Sequence, residues 1–381
     1  MVSNGRMDVC SAPCSPYVPV AAPLVRLLAR FGAPAPQTRL LLMVGLAAWL
    51  AACGPPRAPS RDGEDALRGP AQGEFSVPGW DKRAYLLHLP SSYDGSAPIP
   101  VLYALHGGGG KALGALRTTC ANGDVDDESC LTALAEREGF AVVFPNGHPS
   151  WLVEDLRTWN AGGGEDGFQC VSGAACKEGI DDLAYFDALF AEVERAVLVD
   201  EARVFATGLS NGGAMSHRLA CARADKIAAI APVGAGNQVA AVQGCEPSRP
   251  VPVLVIHGTA DPCWAMEGGE SACLQDDGMA KVGVQESIDG WVARNGCAAA
   301  ATVEELPDTD PNDGTNTTRT RHGECREGAD VAVLLSEGGG HTWPDGWQYL
   351  GAAEVGPVVR DYRANEELWA FFAAHPMPAS P

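Results

Sequence analysis

Four short, mostly apolar runs punctuate the chain, at residues 99–105, 203–207, 251–256 and 331–335, and each ends in a turn rich in glycine or polar residues. They are too short for core helices and lack the polar alternation of a half-solvated strand, so they predict strands buried on both faces. Between them the apolar spacing changes. Leu183, Phe186, Leu189, Phe190, Val193 and Val197 recur at helical intervals, the face of a helix packed on a sheet and therefore core, not a ligand groove. Strands alternating with amphipathic helices predict an α/β architecture with a doubly wound, mostly parallel sheet. No repeat of solenoid type is visible.

The turns that end these strands carry the chemistry. Gly208-Leu209-Ser210-Asn211-Gly212 follows the 203–207 strand and opens a helical stretch ending near Cys221. In G-x-S-x-G the serine sits on a strained strand-to-helix turn, and the glycines keep side chains away where the backbone crowds, so the hydroxyl stands clear of the sheet. Five letters alone would read as a surface turn; the strand before and the helix after favour a nucleophile. Upstream, the 99–105 strand runs into His106-Gly107-Gly108-Gly109-Gly110. The N–H of Gly108 or Gly109, with that of Asn211, is expected to form an oxyanion hole, against the plainer reading of a flexible glycine turn.

Downstream, the 251–256 strand ends in His257-Gly258-Thr259-Ala260-Asp261-Pro262, and the 331–335 strand is followed by Gly338-Gly339-Gly340-His341-Thr342-Trp343-Pro344. Asp261 is expected to be the triad acid and His341 the general base. The order Ser210, Asp261, His341 is that of α/β-hydrolases, not of chymotrypsin or subtilisin. Asp276 and Asp277 compete for the acid, but they lie farther from the strand in a polar stretch. His106, His257 and His217 compete for the base; the first two directly end strands, where their rings are expected to fix loops by hydrogen bonds. Trp264 and Trp343 flank acid and base and are candidate walls of an aromatic acyl pocket, the alternative being that both pack loops.

These segments resemble the LpqC-type group of poly(3-hydroxybutyrate) depolymerases and feruloyl esterases. The likeness rests on 208–213, 257–262 and 338–344, with Arg157-Thr158-Trp159-Asn160-Ala161-Gly162 as a further matching segment, and it covers residues 73–375. It implies a single α/β-hydrolase domain that cleaves carboxylic esters without a cofactor, with Ser210 as nucleophile, Asp261 as acid, His341 as base and Gly108 or Gly109 with Asn211 as oxyanion donors. Feruloyl-type esters and hydroxybutyrate polyesters or oligomers are the implied substrates. Such proteins often carry an apolar run before a Gly-Gly after the aspartate; here Cys263-Trp264-Ala265-Met266-Glu267 intervenes. Many extracellular polyester depolymerases carry a linker and a separate polymer-binding domain after the catalytic one; none is expected here, and a soluble or short ester is the expected substrate. A peptidase or acyltransferase with the same triad, and a non-catalytic ligand-binding surface lipoprotein, are the alternatives.

The remaining sequence bears on location. An arginine-containing leader precedes the apolar run 40–50 and then Leu50-Ala51-Ala52-Cys53, which resembles a bacterial lipobox. The expected organisation is a signal peptide over 1–53 with Cys53 lipidated, a flexible linker over 54–72, a catalytic domain over 73–376 and a tail over 377–381, translation starting downstream of Met1. Ten cysteines follow Cys53: Cys120, Cys130, Cys170, Cys176, Cys221, Cys245, Cys263, Cys273, Cys297 and Cys325. In an exported chain an even number suggests disulfides, and sequential pairing is the simplest arrangement. With no C-x₂-C pair, no zinc site is expected. The net charge is −21, or −24 without residues 1–52. That charge disfavours nucleic acid and anionic membrane surfaces as partners, leaving the lipid as the only membrane contact. The stretch 308–314 superficially matches a calcium loop, but Asp313 stands where such a loop needs glycine and Arg319 where it needs glutamate, so a polar hairpin turn is expected. The sequon at Asn316 is expected to be incidental.

Overall fold

The computed structural model describes residues 72–150, 155–165, 167, 168, 170, 171, 173–270, 273 and 280–378. The proposed signal peptide, Cys53 and all but the last residue of the linker lie outside the described residues, as do Asp276 and Asp277. Gln72, assigned by composition to the linker, already pairs with His88 in the first strand.

The strands in chain order are β1 (Gln72–Phe75), β2 (Tyr85–His88), β3 (Ile99–Leu105), β4 (Ala141–Pro145), β5 (His148–Pro149), β6 (Arg157–Thr158), β7 (Val199–Leu209), β8 (Ala229–Val233), β9 (Val253–Gly258), β10 (Ala301–Glu305), β11 (Asn316–His322) and β12 (Val331–Glu337). The main sheet runs β1-β2-β4-β3-β7-β8-β9-β12-β11-β10, with β5 and β6 pairing separately. From β4 to β12 every neighbouring pair is parallel, and antiparallel strands extend both edges. The predicted mostly parallel sheet is therefore present. The strands that pattern alone leaves unassigned are largely the antiparallel ones. β10, for instance, is exposed at all its positions, so it has no apolar face to betray it. The polar stretch 308–314 does join β10 to β11 as a hairpin.

Helices cover both faces of the sheet: α1 (Ala112–Thr118), α2 (Leu131–Glu138), α3 (Ala174–Lys177), α4 (Asp182–Ala196), α5 (Asn211–Ala222), α6 (Gln238–Val242), α7 (Val284–Asn295), α8 (Ala352–Val355) and α9 (Ala364–Ala374). Because side chains alternate along a strand, β3 feeds two cores. Val101, Tyr103 and Leu105 pack with Phe186, Leu189 and Phe190 of α4, whereas Leu102 and Ala104 pack with Leu134 of α2 and Phe372 of α9. Each such fully buried large apolar side chain contributes about 1.5–3 kcal/mol. The helical stripe between strands is core, as its spacing predicts. Asp181 starts α4 by accepting the Ala184 N–H at 3.0 Å, a side-chain cap. Next to it, Asp182 forms a fully buried ion pair with Arg83, whose guanidinium lies 3.5 Å over the Tyr185 ring. Removing one partner of such a pair costs about 3–5 kcal/mol.

The ten domain cysteines are joined in sequence order: Cys120–Cys130, Cys170–Cys176, Cys221–Cys245, Cys263–Cys273 and Cys297–Cys325. Cys221–Cys245 anchors the end of α5, and Cys297–Cys325 ties the second residue beyond α7 to the approach of β12. Five disulfides belong to a chain matured in an oxidising compartment. Mass-spectrometric mapping of unreduced peptides should recover these five links; free thiols at several of these positions, or crossed pairs, would contradict the arrangement.

Candidate active site

Two pairs of adjacent strands bring the sequence motifs together. In the parallel β3/β7 pair Leu105 stands opposite Gly208, and in β9/β12 Leu335 and Ser336 stand opposite His257 and Gly258. The loops leaving each pair at its carboxyl end must then lie side by side, where open α/β sheets bind ligands.

At the first pair the backbone is packed too closely for side chains. A Cβ on Gly208 would lie 2.7 Å from the Leu105 carbonyl oxygen, and one on Gly212 would lie 2.6 Å from that of His106. Between these glycines Ser210 takes φ 58° and ψ −121°, a conformation costing a non-glycine residue about 1–3 kcal/mol. Its N–H donates to the Val233 carbonyl at 2.9 Å and its carbonyl accepts from Ala214, which holds the turn. Although Ser210 occupies the N-cap of α5, its hydroxyl makes no capping bond.

The glycine loop abuts this elbow. A Cβ on Gly107 would lie in ordinary contact with Leu209 and Ser210. Gly109 donates its N–H to the Arg157 carbonyl at 2.8 Å, and Gly110 donates to Gly107. This corrects the expectation for Gly109: its amide is committed to the neighbouring strand and is not available to a substrate. Among the described residues no acceptor takes the Gly108 N–H, which leaves that amide open to a substrate carbonyl. Asn211 opens α5, and its backbone N–H belongs to the first turn, where no intrahelical acceptor exists. Its side chain is fully engaged elsewhere. The amide oxygen accepts from Trp159 N–H at 2.7 Å, and the amide nitrogen donates to the carbonyls of Trp159 and Val171, both at 3.0 Å.

The Arg157–Asn160 strip thus braces both sides of the site. Besides holding Gly109 and Asn211, it sends the Trp159 indole N–H to the His106 carbonyl at 3.0 Å and the Arg157 guanidinium to the Gly147 carbonyl at 3.2 Å. Asn160 N–H in turn donates to the buried Asp182.

At the second pair the two loops are stitched directly. Ala260 N–H donates to Gly339 O at 2.9 Å and Gly338 N–H to the Thr259 hydroxyl at 3.0 Å. This brings the Nδ1 of His341 to 2.7 Å from Oδ2 of Asp261, both side chains buried. The other carboxylate oxygen accepts from the N–H groups of Cys263 and Trp264 at 2.7 and 2.8 Å. Burial pushes the Asp261 carboxyl upward, but the charge and hydrogen bond of His341, with His257 nearby, outweigh it and hold the group below the ordinary aspartate range. An ionised Asp261 accepts only, so Nδ1 of His341 carries the proton of this hydrogen bond, and Nε2 is the ring nitrogen not held by the aspartate. Gly234, at φ +58°, packs behind the pair, where a Cβ would come within 3.1 Å of the imidazole.

The competing histidines are structural. Burial pushes His106 and His217 down to about 3, so both are neutral near pH 7. His106 accepts from Gly147 N–H at 2.9 Å with one ring nitrogen and meets the Gly107 carbonyl with the other; His217 accepts from the Trp291 indole. His257, lowered by burial, lies 3.9 Å from Asp261. Asp261, Cys263 and His341 bring ligand-type atoms within 4.8 Å of one another, yet Cys263 is held in a disulfide and Nδ1 of His341 bears a proton, so the group does not fit a metal.

Ser210 and His341 both open onto a cavity of about 430 Å3 lined also by the glycine loop, Lys281, the Cys263–Cys273 disulfide, Trp347, Tyr349, Leu350 and Val355. Trp264 and Trp343 are not among its walls. Both are buried, at 1% and 2% exposure, with their indole N–H groups on Val282 O and Asn365 Oδ1. They pack loops, and the expectation of a pocket role is corrected. The aromatic wall comes from Trp347 and Tyr349, four and six residues after Trp343. The run of aromatics after His341 is the signal that could have found them. Tyr349 also donates its hydroxyl to the His341 carbonyl at 3.0 Å, and burial holds that phenol above its ordinary range.

No family model matches the chain. A feruloyl esterase B of Piromyces equi is 27% identical over 273 residues, which are 70% of this chain and 45% of that protein. A probable feruloyl esterase C of Aspergillus oryzae is 30% identical over 224 residues, 58% of this chain and 69% of that one. Among solved structures, an acetyl xylan esterase from Aspergillus awamori aligns over 79% of this chain and 98% of its own, with 15% identity and a TM-score of 0.44.

Because its side chain satisfies three buried backbone groups, Asn211→Ala should destabilise the domain by about 3 kcal/mol or more, read as a lowered midpoint in urea. A change below about 1 kcal/mol would mean that the Asn211 cross-link is not formed.

Proposed function

The chain belongs to the carboxylic ester hydrolase family that contains the fungal feruloyl esterases, and from that membership and the geometry of its cavity we propose that it is a serine esterase working through Ser210, His341 and Asp261. The carrying observation is the 2.7 Å pairing of His341 with a buried, ionised Asp261 at the cavity that also receives the strained Ser210.

In this mechanism Nε2 of His341 takes the Ser210 proton as the hydroxyl oxygen attacks the ester carbonyl. Asp261 keeps the imidazole in its working tautomer and stabilises the imidazolium. The backbone N–H groups of Gly108 and Asn211 stabilise the oxyanion, a contribution of about 10²–10³ in rate per donor. The imidazolium returns its proton to the departing alcohol. Water, deprotonated by His341, then cleaves the acyl-enzyme and restores Ser210. Feruloyl-type esters and short hydroxybutyrate esters are the substrate classes; the names of the relatives support the first, and a cavity walled by Trp347, Tyr349, Leu350 and Val355 admits either.

We further propose that Cys53 carries lipid and tethers the domain through residues 54–71 to the cell envelope. The sequence Leu50-Ala51-Ala52-Cys53 after an apolar run supports this.

Ser210→Ala and His341→Ala should each lower kcat on a p-nitrophenyl acyl ester by several orders of magnitude, and the double variant should lose little more, because the groups act as one unit. Asp261→Asn should lower kcat by about 10⁴-fold with little change in KM. A largely active Ser210→Ala protein would refute the mechanism, and a marked preference for a peptide amide would refute the esterase assignment. Cys53→Ser should move the protein from the detergent-extracted membrane fraction to the soluble one, since anchoring depends on inserted acyl chains; an unchanged distribution would remove the lipid claim.

A further inference from the structure

We infer that Trp347 sets the specificity of the cavity, selecting esters that carry a planar aryl ring over purely aliphatic ones; the inference rests on the esterase reading of the same cavity. Trp347 lines the cavity, and its indole also lies directly against backbone. A Cβ built on Gly123 would come within 2.7 Å of the ring, and Gly123 has φ +75°. Only glycine combines that conformation with that approach. The turn bearing Gly123 is closed by its N–H on Cys120 O at 3.2 Å and joined to the start of α2 by the Cys120–Cys130 disulfide. Trp347 N–H donates to Thr118 O at 3.2 Å, and Gly346 presses on the same segment. The indole is therefore fixed before any substrate arrives, and binding costs it little conformational entropy.

A rigid indole in an apolar wall continued by Tyr349 and Leu350 discriminates by shape and by ring quadrupole. An aryl group gains the geometry of aromatic pairing in addition to the area it covers, whereas a hydroxyalkanoate chain gains only the area. Trp347 thus separates the two substrate classes proposed above and favours the aryl ester. The disulfide-stapled turn at Gly123, remote in sequence from the proposed triad, becomes a support of specificity.

The test compares kcat/KM for methyl ferulate, phenyl butyrate and methyl butyrate in the wild type, Trp347→Ala, Trp347→Phe and Gly123→Ala. Trp347→Ala should lower the ratio of one ring-bearing ester to methyl butyrate at least tenfold. A loss on methyl ferulate puts the ring on the acyl side, and a loss on phenyl butyrate puts it on the alcohol side. Trp347→Phe should retain most of the ratio, and Gly123→Ala, which drives a methyl group toward the indole, should lower it. Residual methyl butyrate hydrolysis reports that each variant is folded, and thermal melting covers any variant without it. Unchanged ratios, or equal loss on all three esters, would overturn the inference while leaving the esterase reading intact. A wild type inactive on all three would overturn both.

Discussion

The register of the central parallel strands is the constraint on which the site depends. Pairing Leu105 with Gly208 places the Leu105 and His106 carbonyls where any side chain at Gly208 or Gly212 would collide. The chain can leave β7 only through a tight turn, and that turn puts Ser210 in a conformation a serine would not choose. The strain is small beside the two apolar cores that fix the register. The same logic two strands away, where β9 and β12 run parallel, sets Asp261 against His341. A slip in either pairing would turn alternate side chains to the wrong face and separate the loops together.

Rigidity at the site comes from groups that do no chemistry. Asn211 spends its side chain on Trp159 and Val171, Trp159 holds the His106 carbonyl, and Arg157 takes the Gly109 amide. This strip reaches through Asn160 to the buried Arg83–Asp182 pair. An oxyanion site gains from donors that need no reorganisation at the moment of reaction, and the strip supplies such fixity to Asn211 and to Gly109, the residue after Gly108, on either side of the proposed oxyanion hole. Burial complements it by keeping His106 and His217 neutral and by pushing His257 below its ordinary range.

Much of the fold was legible because parallel strands buried on both faces leave continuous apolar runs, and β3, β7, β9 and β12 all did. β10 and β11 were not, since exposed or half-exposed strands such as Ala301–Glu305 carry no apolar face. The positions of Ser210, Asp261 and His341 at strand ends followed from glycine-rich turns whose spacing has few other uses. The oxyanion loop was legible only in part, because the hydrogen bond from Gly109 to Arg157 joins residues far apart in sequence. Trp264 and Trp343 misled for a related reason: adjacency to the acid and base in sequence says nothing about which way an indole turns. Both turned inward, and Trp347, four residues farther on, took the wall.

The most direct test of the central claim is covalent. A fluorophosphonate inhibitor reacts with a serine only where that serine is activated and its tetrahedral product is held, so incubation followed by peptide mass spectrometry reads nucleophile, base and oxyanion hole together. The account predicts one stoichiometric adduct, on Ser210, with loss of ester hydrolysis in parallel, and slow or absent labelling in His341→Ala. Labelling of a different serine, or an enzyme that hydrolyses esters while Ser210 stays unmodified, would contradict it.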